Sequence, residues 1–466
     1  MVLRRGDSRG CFSTPKNGLA SPLVLRPVAM ATFSPPLVVV PRPVAVPRPV
    51  AMATMTVSEQ YAALCADLSL PLNAYILGVL QATTTTYVSM NRDVTVKLTG
   101  NDRLQRVQKL SDEDVRVLSR CLRTPAGVTG LDVRYNDISD VGAGHLSDLI
   151  QEATSTLRYV DLMGNDIHTD GAEALAKSLH HNQRLLSVRL TGNKMGNTGG
   201  MCFASMLQIN HTLQELDLAD CDLGTQSVIA FAIVLKSNTS LHSLNISRPL
   251  LFSQQDEVAV HLSAMLRVNR TLRELHLGKM GLTDSGMERL TEGLRANHSL
   301  RYLDLRCNRV SRDGAQSLAA VLRSNGALRI LDLSANRIED DGAASLSEAI
   351  ASPTCGLRAL AITSNNIGSP GLLALAQAMK AGSTLTHVYI WGNHLHEPVC
   401  QAFSELMASG RLSPGHTDVS AYEADGRVRL AEVFHGLRRH YYWTPSSGAD
   451  GCPATNAALA LTANAP

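Results

Sequence analysis

A ladder of asparagines at near-constant spacing constrains this chain more than any other feature. Asn101, Asn136, Asn165, Asn193, Asn308, Asn336, Asn365 and Asn393 each close a segment of the form Leu-x-Leu-x-x-Asn, with Val or Ile replacing Leu in places. Cys221, Pro249 and Met280 carry the same phase across the gap, and successive steps are 35, 29, 28, 28, 28, 31, 28, 28, 29 and 28 residues. An internal period of this length predicts a solenoid. Each unit of a solenoid touches only its neighbours, so the chain offers extended surface rather than one deep pocket.

One repeat shows how the pattern folds. In Tyr159-Val-Asp-Leu-Met-Gly-Asn165, Val160 and Leu162 point one way and Asp161 and Met163 the other, which is the period of a strand. In Gly171-Ala-Glu-Ala-Leu-Ala-Lys-Ser-Leu179, Ala172, Leu175, Ala176 and Leu179 share one helical face. Each unit is therefore strand, turn, helix, turn, and its apolar faces are buried only against the next unit. Where strand becomes loop, inward backbone groups need partners. An Asn side chain supplies both donors and an acceptor, so the Asn residues are expected to be a structural ladder. The glycine six residues on (Gly142, Gly171, Gly199, Gly286, Gly314, Gly342, Gly371) falls where the helix begins and packs closely.

A strand plus a full helix in 28 residues resembles the ribonuclease-inhibitor class of leucine-rich repeats. That resemblance implies an α/β leucine-rich repeat solenoid, a horseshoe with parallel strands on its concave face and helices on its convex face. Over residues 57–444 the likeness narrows to one nuclear member of the wider family. It is carried by Val107-Gln-Lys-Leu-Ser-Asp-Glu-Asp-Val115, Gly130-Leu-Asp-Val-Arg-Tyr-Asn136 and Gly192-Asn-Lys-Met-Gly-Asn-Thr-Gly-Gly200. Leu216-Asp-Leu-Ala-Asp-Cys-Asp-Leu-Gly-Thr-Gln-Ser-Val228, Tyr389-Ile-Trp-Gly-Asn393, Asp425-Gly-Arg-Val-Arg-Leu-Ala-Glu-Val433 and His440-Tyr-Tyr-Trp443 carry it too, the last three lying outside the repeat consensus. The arm before residue 57 has no counterpart in it.

Five parts are expected: a Pro-rich disordered arm at 1–56, an N-terminal helical cap at 57–93, eleven repeats at 94–409, a C-terminal cap at 410–445 and a disordered tail at 446–466. Residues 1–55 hold nine of the 19 prolines and seven Lys/Arg against one acid, leaving 36 bases and 40 acids in the remainder. The arm, almost free of acid, mimics a transit peptide, but its prolines oppose the amphipathic helix such a peptide needs. A mildly acidic body argues against phosphate-backbone binding, so no direct nucleic-acid contact is expected. The nine cysteines are scattered without a Cys-x-x-Cys pair, which suits reduced, buried thiols. Glycosylation sequons begin at Asn210, Asn238, Asn245, Asn269 and Asn297; four share one repeat phase, where a helix-ending Asn explains them without a sugar. No run of 18 apolar residues exists, so no membrane span is expected.

The search for chemistry is mostly negative. There is no phosphate-binding Gly-x-x-x-x-Gly-Lys-Ser/Thr, no Gly-x-Ser-x-Gly and no His-Glu-x-x-His. Gly196-Asn-Thr-Gly-Gly200 lies at a normal helix start, and His394, His396 and Glu397 occupy one loop with no fourth ligand. No catalytic residue, cofactor or metal is expected, and the chain reads as a non-enzyme.

What remains is surface. Eleven strands about 4.8 Å apart give a track of roughly 50 Å. The row between the two core positions reads Lys97, Asp132, Asp161, Arg189, Asp217, Asn245, His276, Asp304, Asp332, Ala361, Tyr389. Asp132, Asp161, Asp217, Asp304 and Asp332 outnumber two fixed cations, so the row either favours a basic partner segment or is ordinary consensus kept for solubility. Tyr302, Tyr389 and Trp391 either anchor an interface or pack under the terminal unit. Arg248-Pro249 breaks the ladder, since proline cannot make the Asn hydrogen bonds, and Leu250-Leu-Phe252 then adds apolar side chains. The break is a tolerated defect or a loop shaped for a partner. Val419–Leu430 suggests two strands joined at Asp425-Gly426, a unit that closes the last repeat.

The expected function is protein binding through the concave face. The resemblance implies a nuclear, chiefly nucleolar, protein that also has access to the cytoplasm. It further implies a link to stem-cell pluripotency, differentiation and proliferation, and contact with the acidic proteins nucleophosmin and nucleolin. The alternatives are a structural part of a large assembly such as a ciliary axoneme, and a GTPase regulator, a horseshoe whose acidic C-terminal region is absent here.

Overall fold

The computed structural model describes residues 55–90, 94–101, 107–123 and 127–433, the side chains of 84–90 excepted. The Pro-rich arm through residue 54, the His440–Trp443 segment and the 446–466 tail lie outside the described residues.

Two helices come first, α1 (Val57–Asp67) and α2 (Ala74–Met90). Thr56 and Glu59 start α1 with a reciprocal capping box, and Tyr61, Ile76 and Leu80 bury themselves against the first repeats. Then strands and helices alternate. The strands are β1 (Val94–Lys97), β2 (Val128–Asp132), β3 (Tyr159–Asp161), β4 (Ser187–Arg189), β5 (Glu215–Asp217) and β6 (Ser243–Asn245). They continue through β7 (Glu274–His276), β8 (Tyr302–Asp304), β9 (Ile330–Asp332), β10 (Ala359–Ala361) and β11 (His387–Tyr389). All eleven form one parallel sheet in chain order, with Leu303 opposite Leu331 and Leu331 opposite Leu360. Helices α3 (Asp112–Cys121) to α13 (Glu397–Ala408) line the other side of the core. The fold is an α/β leucine-rich repeat solenoid.

Every repeat applies the same rule. In α10 (Arg312–Leu322), Gly314, Ala315, Leu318, Ala319, Val321 and Leu322 are buried while Asp313, Gln316 and Ala320 face out. Leu303 and Leu305 of the adjoining strand segment are fully buried against that stripe. Each such leucine contributes roughly 1.5–3 kcal/mol on leaving water.

Three rails tie neighbouring repeats. In the first, the Asn336 amide donates to the carbonyls of Leu305 (3.0 Å) and Leu333 (2.8 Å), and its oxygen accepts from Val310 N–H (3.1 Å). Asn136, Asn165, Asn193, Asn308, Asn365 and Asn393 make equivalent bonds. Asn101 differs: it is exposed, at the first strand, with no earlier strand whose carbonyls it could serve. The second rail lies where the helices end. Asn210, Asn238, Asn269, Asn297 and Asn325 are buried and donate back to the preceding helix, as Asn297 does to Leu266 (2.8 Å) and Asn269 (3.1 Å). Four of these carry the sequons, whose amides are therefore structural. In the third rail, an acid in one helix's first turn caps the next helix. Asp140 accepts from His168 and Gly171, and Asp284 from Ser311 and Gly314. A Cβ on Gly171 or Gly314 would stand 2.5 or 2.6 Å from that carboxylate oxygen, so the glycine makes room for the cap.

The turn after each strand from β2 to β11 has a residue with φ between 54° and 79°: Tyr135, Gly164, Gly192, Asp220, Arg248, Lys279, Cys307, Ala335, Ser364 and Gly392. At the far end β12 (Val419–Ala424) and β13 (Arg427–Glu432) form an antiparallel hairpin turning at Asp425 and Gly426, both left-handed. The hairpin packs on α13, and Asp418 accepts from the backbone N–H groups of Ile390 and Trp391.

Candidate interaction surface

The sheet face opposite the helices carries two rows. The expected row is present, and beside it runs a second one: Tyr159, Ser187, Glu215, Ser243, Glu274, Tyr302, Ile330, Ala359, His387. Alternation from the strand's first residue would have revealed this second row. Together they change the reading of the aspartates. Asp132 pairs with Arg134 (2.9 Å), Asp161 with Arg189 (2.9 Å), and Asp304 with His276 (3.3 Å) and Arg306 (3.4 Å). Asp217 lies 3.8 Å from Arg189. Of the two readings of the row, the one that needs open aspartates for a basic segment is thus corrected. Asp132, Asp161, Asp304 and Asp332 are buried, only Asp217 is half-buried, and cations from the row and beside it neutralise most of the charge.

Electrostatics follow from that burial. Burial and the neighbouring Asp161 raise Asp132 to about 6; burial and Asp304 raise Asp332 to about 7. Burial alone would lower His276, but its bonds to Asp304 and Glu274 prevail and hold it at about 9. His276 is therefore an imidazolium clasped between two carboxylates, with its ring edge-on to Tyr302 at 4.8 Å.

The aromatic end divides in two. Tyr302 and Tyr389 join Ile330, Ala359 and Ala361 in a small apolar cluster on the sheet face, whereas Trp391 is half-buried against the main core. His394 binds the Asn366 side chain (3.0 Å), and among the described residues no group of three or more His, Cys, Asp or Glu could hold a metal. No helix among them is long and apolar enough to cross a membrane.

The ladder's break shapes the most exposed apolar feature. The Cys221 thiol donates to Leu190 O (3.1 Å), replacing one Asn bond, and Pro249 replaces none. Buried helix positions start six residues after Cys221, at Ser227 of α7 (Thr225–Val234). They start nine residues after Pro249, at Val258 of α8 (Gln255–Val268). The three extra residues form a tip where Leu250 is 47 % and Phe252 88 % exposed. Leu251 anchors it in the core, and Gln255 donates to the Phe252 carbonyl (2.7 Å). Phe252 has φ 53°, a costly conformation for a bulky side chain.

Comparison with known proteins agrees with the repeat reading. A leucine-rich repeat family model matches residues 128–147, 154–176, 181–204, 210–232, 268–290, 296–319, 327–347 and 356–376. A human protein, leucine-rich repeat-containing protein 34, is 47% identical over 404 residues, 86% of this chain and 87% of its own. The mouse protein of that name is 46% identical over 403 residues, 86% of this chain and 97% of its own. Among solved structures, a Listeria monocytogenes internalin is 14% identical, covers 74% of this chain and 94% of its own, and has a TM-score of 0.33.

Proposed function

The chain belongs to the family of leucine-rich repeat-containing protein 34, and on that premise we propose that it is a non-enzymatic scaffold for protein partners. Leucine-rich repeats suggest protein–protein contact in general. The observation that carries the reading here is the Phe252 tip, a large apolar side chain displayed to solvent where the array departs from its own rule. An exposed aromatic has a large apolar area to bury on contact, which is a property of interface anchors. The nucleus, chiefly the nucleolus, is the proposed location, with the cytoplasm also accessible. Nucleophosmin and nucleolin are the proposed partners, and control of pluripotency, differentiation and proliferation the proposed setting. Support for these finer points is the resemblance alone. Proximity cross-linking of the full chain in cells, mapped to residues, tests the proposal. Cross-links concentrated around residues 248–256 and lost in Phe252→Ser are expected. Unchanged partner recovery from that variant would sink the role of the tip, and recovery of axonemal proteins alone would sink the nucleolar assignment.

A further inference from the structure

Each helix-to-strand connection ends one residue before its strand. In four consecutive repeats that residue is arginine: Arg273, Arg301, Arg329 and Arg358. Parallel strands stack at about 4.8 Å, so the four side chains form a column along the N-terminal edge of β7–β10, extended by His242 before β6. All five are half-exposed. None lies within ion-pair distance of a carboxylate among the described residues. The guanidiniums crowd one another instead: burial and then the charges of Arg273 and Arg329 lower the pKa of Arg301, and burial and Arg358 lower that of Arg329. Burial and Arg273 likewise lower that of His242.

The column lies on a rim poor in acids, where Glu152 is an exception early in the array. The connections at 180–186, 210–214, 235–242, 269–273, 297–301, 323–329, 351–358 and 381–386 contain no Asp or Glu. The opposite rim, where strands turn into helices, is mixed: Asp137, Asp166, Asp220 and Asp222 stand among Arg134, Lys194, Arg248, Lys279, Arg306, Arg309 and Arg337. Cations beside helix C-termini complement the helix dipole, and that accounts for part of the pattern. Carbonyl bonding accounts for another part, since Arg301 Nη1 reaches His298 O (3.0 Å) and Ala327 O (3.1 Å), and Arg329 Nη1 reaches Gly326 O (2.9 Å) and Gly356 O (2.7 Å). Neither explains Arg358, whose side chain bonds nothing among the described residues, nor four guanidiniums in file with no carboxylate among those residues at ion-pair distance.

We infer that this arginine column is a docking site for an extended acidic segment of a partner protein, a run of Asp and Glu laid across β7–β10. Guanidinium nitrogens not used on loop carbonyls remain for carboxylates, the geometry that suits Arg best. A protein segment fits better than a nucleic acid: carboxylates match the guanidinium fork, and of the five column positions only His242, at the end of the file, offers a ring on which a base could stack. The inference deepens the scaffold reading by naming a partner chemistry, yet its test needs only purified protein. It therefore stands or fails apart from the Phe252 cross-links.

The test titrates the full chain with a fluorescent twelve-residue glutamate peptide and follows anisotropy. Arg301→Gln with Arg329→Gln is expected to weaken binding at least tenfold. Arg358→Gln, which removes no hydrogen bond of the fold, is expected to weaken it about threefold. Arg309→Gln with Arg337→Gln makes the same charge change on exposed residues of the opposite rim, leaves the basic arm in place, and is expected to leave binding unchanged. Absence of saturable binding, or equal loss in the opposite-rim variant, overturns the inference. So does tighter binding of a twelve-nucleotide single strand that the column substitutions abolish, an outcome that would assign the column to nucleic acid.

Discussion

Replacing Asn336 by Leu removes a side chain that serves two repeats at once. The Val310 N–H then loses its acceptor, and the carbonyls of Leu305 and Leu333 lose a donor, all in buried positions. Leaving a buried polar group unsatisfied costs roughly 1–3 kcal/mol. Carbonyls relax more readily than the N–H, so the sum is put at about 3–4 kcal/mol rather than the arithmetic maximum. Leu has the branched outline of Asn but is bulkier, so any steric term is overpacking that adds to the loss, not a cavity. Urea denaturation measures the loss. Because a repeat array can open in sections, hydrogen exchange at Val310 provides the local reading, with protection expected to fall by at least a hundredfold. Asn101→Leu is the internal control, since Asn101 is exposed, and should change stability by less than about 0.5 kcal/mol. A loss below about 1 kcal/mol in Asn336→Leu, or equal losses in both variants, would refute the ladder argument.

Asn297→Ala should cost about 2–3 kcal/mol in the same denaturation assay, because the second rail loses bonds to Leu266 and Asn269 and the acceptor for Leu300 N–H. Ala335→Gly should raise stability by about 1 kcal/mol, relieving a left-handed Ala (φ 55°) at an exposed turn; an unchanged midpoint would count against strain there. For His276 the folded pKa of about 9 stands above the ordinary 6.5. Its stabilisation is complete below pH 6.5 and disappears as pH rises through 9, a change of roughly 3 kcal/mol at most. His276→Gln should flatten stability against pH in that window, and a slope identical to the parent would overturn the assignment.

The period alone made the fold legible, because Leu-x-Leu followed by a helical apolar stripe leaves no alternative way to bury both faces. Asn136 through Asn393 were legible for the same reason, each being the one polar residue in an apolar phase. The second asparagine rail was less visible. Asn210 and Asn297 looked like helix ends, and only the neighbouring repeat shows that their amides reach backwards. Alternation told which side of the sheet Asp304 faces but not what surrounds it. Its partners come from the same position one repeat earlier, His276, and from two residues further along its own segment, Arg306. The arginine column escaped notice because each member sits alone in its connection, and the pattern exists only across repeats.

The interruption at Cys221 and Pro249 has a consequence for where this architecture tolerates changes of length. Where all three rails are present, an inserted residue would displace an amide, a helix-end asparagine and a capping acid together, misaligning them with both neighbours. At Pro249 no amide is present to be displaced, and three additional residues are absorbed while Leu251 and Val258 keep their places in the core. Loop grafts of varied length should therefore be accepted between Pro249 and Gln255 and rejected at the corresponding turn after Asn336.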